Sequence, residues 1–411
     1  MRSLYLLFIA VFCVLVSCSE TKEEDVVIGF IEGLSGPFAN IGEVALRHLE
    51  LEVEAVNRSG NLPEGVRMRI LSFDNKTNPQ EALLAFRSAL DAGVDYVFQG
   101  NSSSVATALT DAIAKHNRRN PSEPVIFINY AALDPALTNE NCEQSHFRFD
   151  ADVSMKMAAL TEYIAMREDI ESVYLINQDY SYGQAVATSA RLMLEKKRPD
   201  LRIAGDDLHP IGRVKDFSPY VAKIKSSGAQ AIVTGNWGSD LTLLIKSARQ
   251  MGVDVDFFTF NIGMTGGVST IGEAGIERVH QITNWHANIN EQTKSNANLY
   301  RSRYPDVFED AYYGSVRRAV RMLEKAMIES RSTDPVKVGL MLKNMSLTDD
   351  TGLVVMREDN HQLLQPLFVS KLVRISSENG LIGVEDAGLG FKTVAEISAE
   401  KTRMPTTCRF E

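Results

Sequence analysis

Short runs of β-branched and aromatic residues alternate with longer stretches of helical periodicity along most of the chain. The predicted strands cover residues 26–31, 67–73, 96–98, 125–128, 172–176, 231–234, 256–260 and 279–283. The predicted helices cover residues 38–56, 79–92, 105–115, 155–166, 184–196, 217–225 and 241–250. This alternation is typical of βαβ units, in which helices cover both faces of a parallel sheet. A length of 411 residues favours two such α/β domains.

Capping residues support several of these boundaries. Asn78 precedes Pro79, a combination that is common at the start of a helix. The segment 216–219, DFSP, predicts another helix start, and Gly228 predicts its end. The segment 33–36, GLSG, is interpreted as a turn before a helix. The segment 263–267, GMTGG, is interpreted as a flexible loop.

The first residues predict export. Residues 4–16 form an apolar run of 13 residues after Arg2, which is shorter than the roughly 20 residues that span a bilayer. Residues 1–17 are therefore interpreted as a signal peptide. The run ends in LVSC, which resembles a bacterial lipobox, so Cys18 is the expected lipidation site; the alternative is an ordinary signal peptide with an incidental cysteine. Residues 18–25 are expected to tether an envelope or periplasmic lipoprotein to its membrane.

The charge balance of the chain bears on its binding partners. The chain has 43 basic and 53 acidic residues and no basic block, which argues against nucleic acid as a partner.

Apart from Cys13 and Cys18, the sequence contains Cys142 and Cys408. In an exported protein these two can form a disulfide that joins the C-terminal tail to the first half of the chain, although the sequence does not show that they meet.

Catalytic and metal-binding motifs are nearly absent from the sequence. It has no phosphate-binding GxxxxGK[ST] loop, no GxSxG nucleophile elbow, no HExxH and no CxxC. His280 and His286 are six residues apart, a spacing that does not suit two metal ligands on one helix face. We therefore predict neither a metal, a cofactor nor an enzymatic activity, although missing motifs only lower the odds of an enzyme.

Three consecutive serines stand where a predicted buried strand meets a helix. They lie in the stretch 94–114, VDYVFQGNSSSVATALTDAIA, as Ser102, Ser103 and Ser104. One serine is enough to cap the helix. The other explanation is a site for a carboxylate, because hydroxyl groups, unpaired N–H groups and the helix dipole all favour an anion there. The local sequence leaves both explanations open.

Several stretches together resemble the Leu/Ile/Val-binding family of type I periplasmic solute-binding proteins, which serve branched-chain amino acid ABC transporters. In family order, they are IGFIEGLSGPFANIGEVALRHLELEVEAVN, FDNKTNPQEAL, GNSSSVATALTDAIA, NYAALDPALT, FRFDADV, VYLINQDYSYGQAV, VKDFSPYVAKIKSSGAQAIVTGNW and LLIKSARQMGV. The resemblance is weaker in residues 311–326 and 351–373.

The resemblance implies an α/β fold of two doubly wound, parallel-sheet lobes joined by a three-strand hinge, with a ligand cleft between the lobes. One lobe is expected to contain residues 26–150 and 283–352, and the other residues 151–282 and 353–385. Residues 386–411 remain as a C-terminal tail. The strand ends and helix N-termini would face the cleft, which favours the ligand explanation for the three serines.

The resemblance also implies ligand-binding positions, two of which have changed. Ser103 matches a family serine that binds the ligand's α-carboxylate. A family threonine that shares this role falls on Leu133, and a backbone carbonyl position falls on Ala131. The acidic residue that receives the α-ammonium falls on Asn261. A buried ammonium without a carboxylate partner is costly, so we expect a carboxylate, an amide or another polar ligand, unless Asp179 or Asp240 supplies the charge.

Aromatic positions complete the expected site. By the same resemblance, Tyr182 and Trp237 match cleft positions of the family, and Ile41 replaces a family tryptophan. Tyr130, Tyr312 and Tyr313 are further candidates, with core packing as the alternative role.

These expectations together describe a lipid-anchored, extracytoplasmic binding protein that captures a small amino acid or a related carboxylate or amide by hinge closure. Its partners would be the permease and ATPase subunits of an ABC importer. A ligand-sensing module that signals to a membrane receptor is the alternative on the same fold, and an envelope enzyme is a third possibility.

Overall fold

A parallel five-stranded sheet forms the centre of the first lobe. The computed structural model describes residues 24–305 and 313–410. The strands of this sheet are β1 (Glu24–Glu32), β2 (Val66–Asp74), β3 (Tyr96–Gln99), β4 (Ile126–Asn129) and β5 (His146–Arg148). They follow the order β2-β1-β3-β4-β5. The helices that pack on it are α1 (Ala39–Ser59), α2 (Pro79–Asp91), α3 (Ser103–Arg119), α10 (Tyr313–Ser330) and α11 (Pro335–Leu342).

A seven-stranded sheet forms the centre of the second lobe. Its strands are β6 (Ser172–Gln178), β7 (Arg202–His209), β8 (Ala231–Thr234), β9 (Asp256–Thr259), β10 (Val279–Thr283), β14 (Leu367–Arg374) and β15 (Leu389–Ile397). They follow the order β15-β14-β10-β9-β8-β6-β7, in which β14 and β15 are antiparallel to their neighbours. The helices of this lobe are α4 (Val153–Ala165), α5 (Ser181–Lys197), α6 (Ser218–Ser227), α7 (Ser239–Gln250) and α8 (Gly267–Ile271).

The remaining elements belong with the first lobe. Helix α9 (Glu291–Arg303) places Tyr300 against His48 of α1. A small antiparallel sheet contains β11 (Ser346–Asp349), β12 (Gly352–Met356) and β13 (Leu363–Leu364). It lies beside β5, because Gln362 forms a bridge with Arg148. Within residues 24–305 and 313–410, no helix is both long and apolar enough to cross a membrane.

The structure confirms the predicted strands and helices, with shifts of a few residues at their ends. Helix α2 begins as expected, since the Asn78 side chain accepts hydrogen bonds from the N–H groups of Gln80 and Glu81. Helix α6 ends at Gly228, which adopts a left-handed conformation with φ of 68°. Strand β7 was not predicted. It is an edge strand with mostly exposed or half-exposed residues, so it lacks an apolar run.

Three interpretations of the sequence need correction. The glycine-rich segment 263–267 is not only a loop, because the short helix α8 begins at Gly267. The carboxylate of Glu385 accepts hydrogen bonds from the N–H groups of Gly266 and Ser269 and so orders this segment. Residues 386–411 are not simply a tail, because they include β15, an edge strand of the second sheet. The pairing of β13 with β12 likewise places residues 353–364 beside the first sheet instead of in the second lobe.

Three segments that pass between the lobes at the hinge are connected to one another by buried polar side chains. The segments follow β5, follow β10 and precede β14. The Arg148 guanidinium donates to Gln362 Oε1 at 2.6 Å, and Gln362 Nε2 donates to the Asp150 carbonyl at 2.8 Å. Asn284 Nδ2 donates to the Asp150 carboxylate at 2.6 Å. Arg318 donates to Gln365 Oε1 at 2.5 Å and to the Asn284 carbonyl at 3.4 Å. Each segment therefore contacts this network.

The C-terminal segment returns from β15 to the first lobe. Thr406 Oγ1 donates to the Thr138 carbonyl at 3.0 Å, and the Thr407 N–H donates to Asn139 Oδ1 at 3.2 Å. Cys142 and Cys408 form a disulfide with their Cα atoms 5.7 Å apart and a sequence separation of 266 residues. This segment is a fourth connection between the lobes, and it is closed covalently.

We predict that replacing both cysteines by serine lowers the free energy of unfolding by about 2–5 kcal/mol, because a long closed loop restricts the unfolded chain. Denaturant titration of the oxidised protein and of the Cys142→Ser/Cys408→Ser variant measures the difference. The reduced wild-type protein is the control and should match the variant. Equal stability of all three forms would contradict a stabilising role of the disulfide.

Candidate functional site

The three serines lie at a distorted junction between β3 and α3. Strand β3 ends at Gln99, and α3 begins at Ser103. Ser102 is at the N-cap position, but its side chain makes no capping hydrogen bond. Its φ of 81° is uncommon for a residue other than glycine and costs about 1–3 kcal/mol. Helix capping therefore does not explain these serines. The N–H groups in the first turn of any helix lack intrahelical partners and favour an anion.

A buried glutamate holds this junction in place. Glu32, at the end of β1, has no exposed surface. Its Oε2 accepts hydrogen bonds from the N–H groups of Gly100 and Asn101, each at 3.0 Å, and from the Tyr130 hydroxyl. Its Oε1 accepts from the Gly33 N–H at 3.1 Å. Burial raises the pKa of Glu32, and these hydrogen bonds partly offset the effect. Glu32 therefore fixes the path of the backbone just before Ser102.

Residues of both lobes enclose a cavity at this junction. It has a volume of about 310 Å³ including its opening. The lining residues are Gly100, Asn101, Ser102, Ser103, Ala131, Ala132, Leu133, Tyr180, Tyr182, Trp237, Asn261 and Met264. The structure thus brings together seven of the residues selected from the sequence, which are Ser102, Ser103, Ala131, Leu133, Tyr182, Trp237 and Asn261. The other lining residues, among them Tyr180 and Met264, were not selected.

On the first-lobe side, Ser103 is oriented by the loop after β4. Its Oγ accepts a hydrogen bond from the Asp134 N–H at 3.2 Å, and the side chain is buried. Because this oxygen is already an acceptor, its own hydrogen is available for another partner. The same loop carries Ala131 and Leu133 into the cavity wall.

On the second-lobe side, two tyrosine hydroxyls accept hydrogen bonds from neighbouring side chains. Trp237 Nε1 donates to the Tyr180 hydroxyl at 2.9 Å, and Asn261 Nδ2 donates to the Tyr182 hydroxyl at 2.8 Å. Burial raises the pKa of both tyrosines, so both stay protonated at neutral pH. Each hydroxyl can therefore donate its hydrogen to a third group. The Asn261 amide thus positions a tyrosine in this structure, at the place where the family resemblance implied an acidic residue.

The structure places the remaining selected residues outside this cavity. Ser104 lies one position further along α3, with its Oγ 3.0 Å from that of Ser102. Tyr130 is buried beneath Gly100 and stacks on Phe30. Ile41 lines a neighbouring space that shares Asn261 and Met264 with the cavity.

Tyr313 and two acidic residues also lie apart from the cavity lining. Tyr313 packs against Trp285, and Tyr312 lies outside the described residues. Asp179 is exposed, and Asp240 accepts hydrogen bonds from Gln178 and the Gly212 N–H. The charge of Asp240 acts on Tyr180, but neither aspartate is among the residues that line the cavity. Indeed, its described lining includes no Asp, Glu, Lys or Arg.

An aromatic contact joins the lobes at the cavity. Phe38, just before α1, packs on Trp237 with ring centroids 4.3 Å apart. A Cβ atom added to Gly238 would lie 3.0 Å from the Phe38 ring, so the glycine allows this close approach. Asn40 Nδ2 also donates to the Thr265 carbonyl at 3.4 Å. These contacts across the cleft define a closed arrangement of the lobes.

A second cavity adjoins the first and has residues of the crossing segments in its wall, and we call it the hinge cavity. It has a volume of about 710 Å³ including its opening and shares Ala131, Leu133, Asn261 and Met264 with the first. Its other lining residues are Asp150, Lys156, Phe260, Gly263, Gln281, Thr283, Asn284, Trp285, His286, Ala287, Asn288, Val384 and Phe391. The sequence analysis selected none of these as ligand-binding residues. His280 and His286 have different surroundings. His280 packs against Phe258, whereas His286 lines this cavity.

A cleft between two α/β lobes, joined by three crossings and lined by strand ends and a helix N-terminus, defines a bilobal solute-binding protein. The chain matches the periplasmic binding protein family over residues 25–379. It belongs to that family. It is 30% identical to "Leu/Ile/Val-binding protein homolog 4" of Brucella abortus (strain 2308), over 92% of this chain and 91% of the relative.

Solved structures agree with this assignment. The leucine-, isoleucine-, valine-, threonine- and alanine-binding protein from Brucella ovis, in a closed conformation, superposes with a TM-score of 0.82 at 25% identity, covering 94% of this chain and 99% of that one. A solute-binding protein of an ABC transporter from R. palustris, in complex with 4-hydroxybenzoate, superposes with a TM-score of 0.76 at 18% identity, covering 91% of this chain and 97% of that one. The latter similarity shows the fold alone.

Burial of His286 in the wall of the hinge cavity makes the stability of the protein depend on pH. Its Nδ1 accepts a hydrogen bond from the Asn288 N–H at 3.2 Å, and its Nε2 lies 3.0 Å from Thr393 Oγ1. Burial lowers its pKa from 6.5 to about 3. The unfolded chain therefore takes up a proton in the range from pH 6.5 down to about 3, whereas the folded protein does not. The stability that depends on neutral His286 is present above pH 6.5 and is lost as the pH falls.

We expect the free energy of unfolding to fall by about 1.4 kcal/mol per pH unit from this group alone below its unfolded pKa. Denaturant titrations of the wild-type protein and of His286→Gln between pH 7 and pH 4 measure the contribution. The variant should show a shallower loss of stability on acidification. Parallel pH dependence in the two proteins would show that His286 does not contribute.

Proposed function

We propose that this chain captures a small carboxylate between its lobes and presents it to the permease and ATPase subunits of an ABC importer. The observation that carries the proposal is the chemistry of the cavity at α3. Its polar lining includes hydroxyl donors from both lobes and a helix N-terminus, without an acidic side chain. This combination stabilises an anion and, within the described lining, supplies no charged partner to a cation.

The hydrogen-bonding capacity of the cavity supports a carboxylate in particular. Ser103 Oγ, Tyr180 and Tyr182 each accept a hydrogen bond within the protein, which leaves their hydrogens for the ligand. Hydrogen bonds to a charged group contribute about 1.5–3 kcal/mol each. Donors from the first lobe at Ser103 and from the second lobe at the tyrosines would bind one anion from opposite sides. A ligand bound in this way favours the closed arrangement over the open one.

Branched-chain amino acids are a second candidate, because relatives of this chain carry the names of leucine-, isoleucine- and valine-binding proteins. Their α-carboxylate suits Ser103. Their α-ammonium does not suit the described lining, where Leu133 and Asn261 stand in place of hydrogen-bonding and acidic groups. An unpaired buried ammonium costs several kcal/mol. We therefore favour a carboxylate without a free α-amine over an α-amino acid.

Aromatic rings near the donors favour a ligand with an apolar body. Trp237, Tyr180 and Tyr182 provide ring surface together with polar tips. The R. palustris protein of the same fold is described in complex with 4-hydroxybenzoate. Aromatic monocarboxylates are therefore the first probes to examine.

We further propose that the protein is exported and lipidated at Cys18, with residues 18–23 as a tether, since the expected tether of residues 18–25 is shortened by Glu24 and Asp25, which belong to β1. This proposal rests on the sequence, since residues 1–23 lie outside the described part of the chain. For the lobes we propose a first lobe of residues 26–148 and 291–364, and a second lobe of residues 153–282 and 367–397. Strands β13 and β15 motivate these revised boundaries.

We predict that Ser103→Ala weakens binding of benzoate or 4-hydroxybenzoate more than tenfold, because it removes a hydrogen bond to the anion that is worth about 1.5–3 kcal/mol. Isothermal titration calorimetry measures the change. Ser88→Ala is the matched control, since it is the same substitution at an exposed position of α2, outside the cavity lining. It should leave the affinity nearly unchanged.

Loss of the Asp134–Ser103 hydrogen bond also lowers the stability of Ser103→Ala by about 1 kcal/mol. Calorimetry is therefore carried out well below the unfolding temperature of the variant. Equal carboxylate affinities of Ser103→Ala and the wild-type protein would refute the site. Binding of leucine, isoleucine or valine more tightly than any carboxylate without an α-amine would instead establish the second candidate.

A further inference from the structure

A buried ion pair lies in the wall of the hinge cavity. Lys156 Nζ of α4 contacts Asp150 Oδ2 at 2.7 Å, and both side chains are at most one-tenth exposed. Asp150 follows β5 in the first crossing segment, whereas Lys156 is in the second lobe. Both residues line the hinge cavity, and neither is among the residues lining the cavity at α3.

The two partners of this pair differ in how completely they are hydrogen bonded. The Asp150 carboxylate accepts from Lys156, from Asn284 Nδ2 at 2.6 Å and from the Ala151 N–H at 2.8 Å, which occupies most of its acceptor capacity. An ammonium group has three hydrogens to donate. Within residues 24–305 and 313–410, Lys156 donates one hydrogen bond, to Asp150. The hydrogen-bonding capacity that the ion pair can still offer to a ligand is therefore mainly the donor capacity of Lys156.

The hinge cavity adjoins the cavity at α3. Ala131, Leu133, Asn261 and Met264 belong to the walls of both. Phe260, Trp285 and Phe391 provide apolar surface in the wall of the hinge cavity, which also contains the ion pair. A molecule that extends from Ser103 into the hinge cavity would therefore contact apolar walls and a charged donor.

We propose that the hinge cavity is a second subsite, in which Lys156 binds a hydrogen-bond acceptor at the far end of the ligand. This inference rests on the proposed function, since the near end of the ligand is the carboxylate at α3. The substrate class is then an elongated molecule with a carboxylate at one end, an apolar middle and a second carboxylate or carbonyl group at the other. A free amine at the far end does not suit the site, because the Asp150 carboxylate is already engaged.

The test compares matched ligands and matched variants. The ligands are the aliphatic α,ω-dicarboxylates from succinate to suberate and their ω-monoamides, each measured against the monocarboxylate with the same number of carbons. The test variant is Lys156→Met/Asp150→Asn. Changing both residues avoids leaving Asp150 buried without its partner, which would destabilise the fold. The control variant is Lys223→Met/Asp207→Asn, which makes the same substitutions in an ion pair of equal length, 2.7 Å, outside both cavities.

Isothermal titration calorimetry should show that one chain length of the dicarboxylate or monoamide series binds to the wild-type protein roughly tenfold or more tightly than its monocarboxylate. The test variant should lose this advantage, measured as the ratio of the two affinities in the same protein, because an effect of Asp150→Asn on the hinge acts on both ligands and cancels in the ratio. The control variant should retain the advantage. A preference for the dicarboxylates alone would identify the distal group as a carboxylate, and an equal preference for the monoamides would identify it as a carbonyl.

Two results would overturn the inference while leaving the proposed function intact. One is monocarboxylate binding that depends on Ser103 without any gain from a second acceptor at any length. The other is a gain that persists in the test variant. If instead no carboxylate binds, or binding does not depend on Ser103, the proposed function fails, and the inference fails with it. Thermal unfolding of both double variants verifies that each is folded before titration.

Discussion

The hydrogen bonds of the Glu32 carboxylate are the constraint on which the site depends. A carboxylate without solvent contact is unfavourable unless donors compensate it, and here three backbone N–H groups and the Tyr130 hydroxyl do so. Two of those N–H groups belong to Gly100 and Asn101, directly before the strained Ser102. The same bonds that stabilise the buried charge therefore set the direction in which α3 begins, and with it the position of Ser103.

Ligand binding and lobe movement share residues in this protein. Asp150 belongs to the first crossing segment and accepts a hydrogen bond from Asn284 in the second. Gln362, close to the third, donates to the Asp150 carbonyl. Because the Asp150 carboxylate also lines the hinge cavity, a molecule in that cavity would contact the network that holds the crossings together. Such buried networks are unfavourable when some of their polar groups lack hydrogen-bond partners. Occupancy of the hinge cavity by a ligand and the geometry of the hinge are therefore expected to be coupled.

Strands and helices that local sequence patterns determine were predicted from the sequence. Residues whose roles depend on contacts with distant parts of the chain were missed. Strands β3 and β8 were found because all their residues are buried, which gives continuous apolar runs. Edge strand β7 was missed because it is largely exposed on one side. Ser103 was selected from its place between strand and helix. Glu32 and Lys156 were not, since their roles come from Tyr130, 98 residues away, and from a cavity wall assembled from separate segments.

The bridge between Cys142 and Cys408 has a consequence for biogenesis. Its half-cystines are separated by 266 residues, a span that contains the whole seven-stranded sheet. While the chain emerges in order from its N-terminus, Cys142 must therefore stay a thiol until nearly all of the protein has been synthesised. Correct oxidation is then a late event in synthesis, and a premature encounter of Cys142 with another thiol would divert the newly made chain.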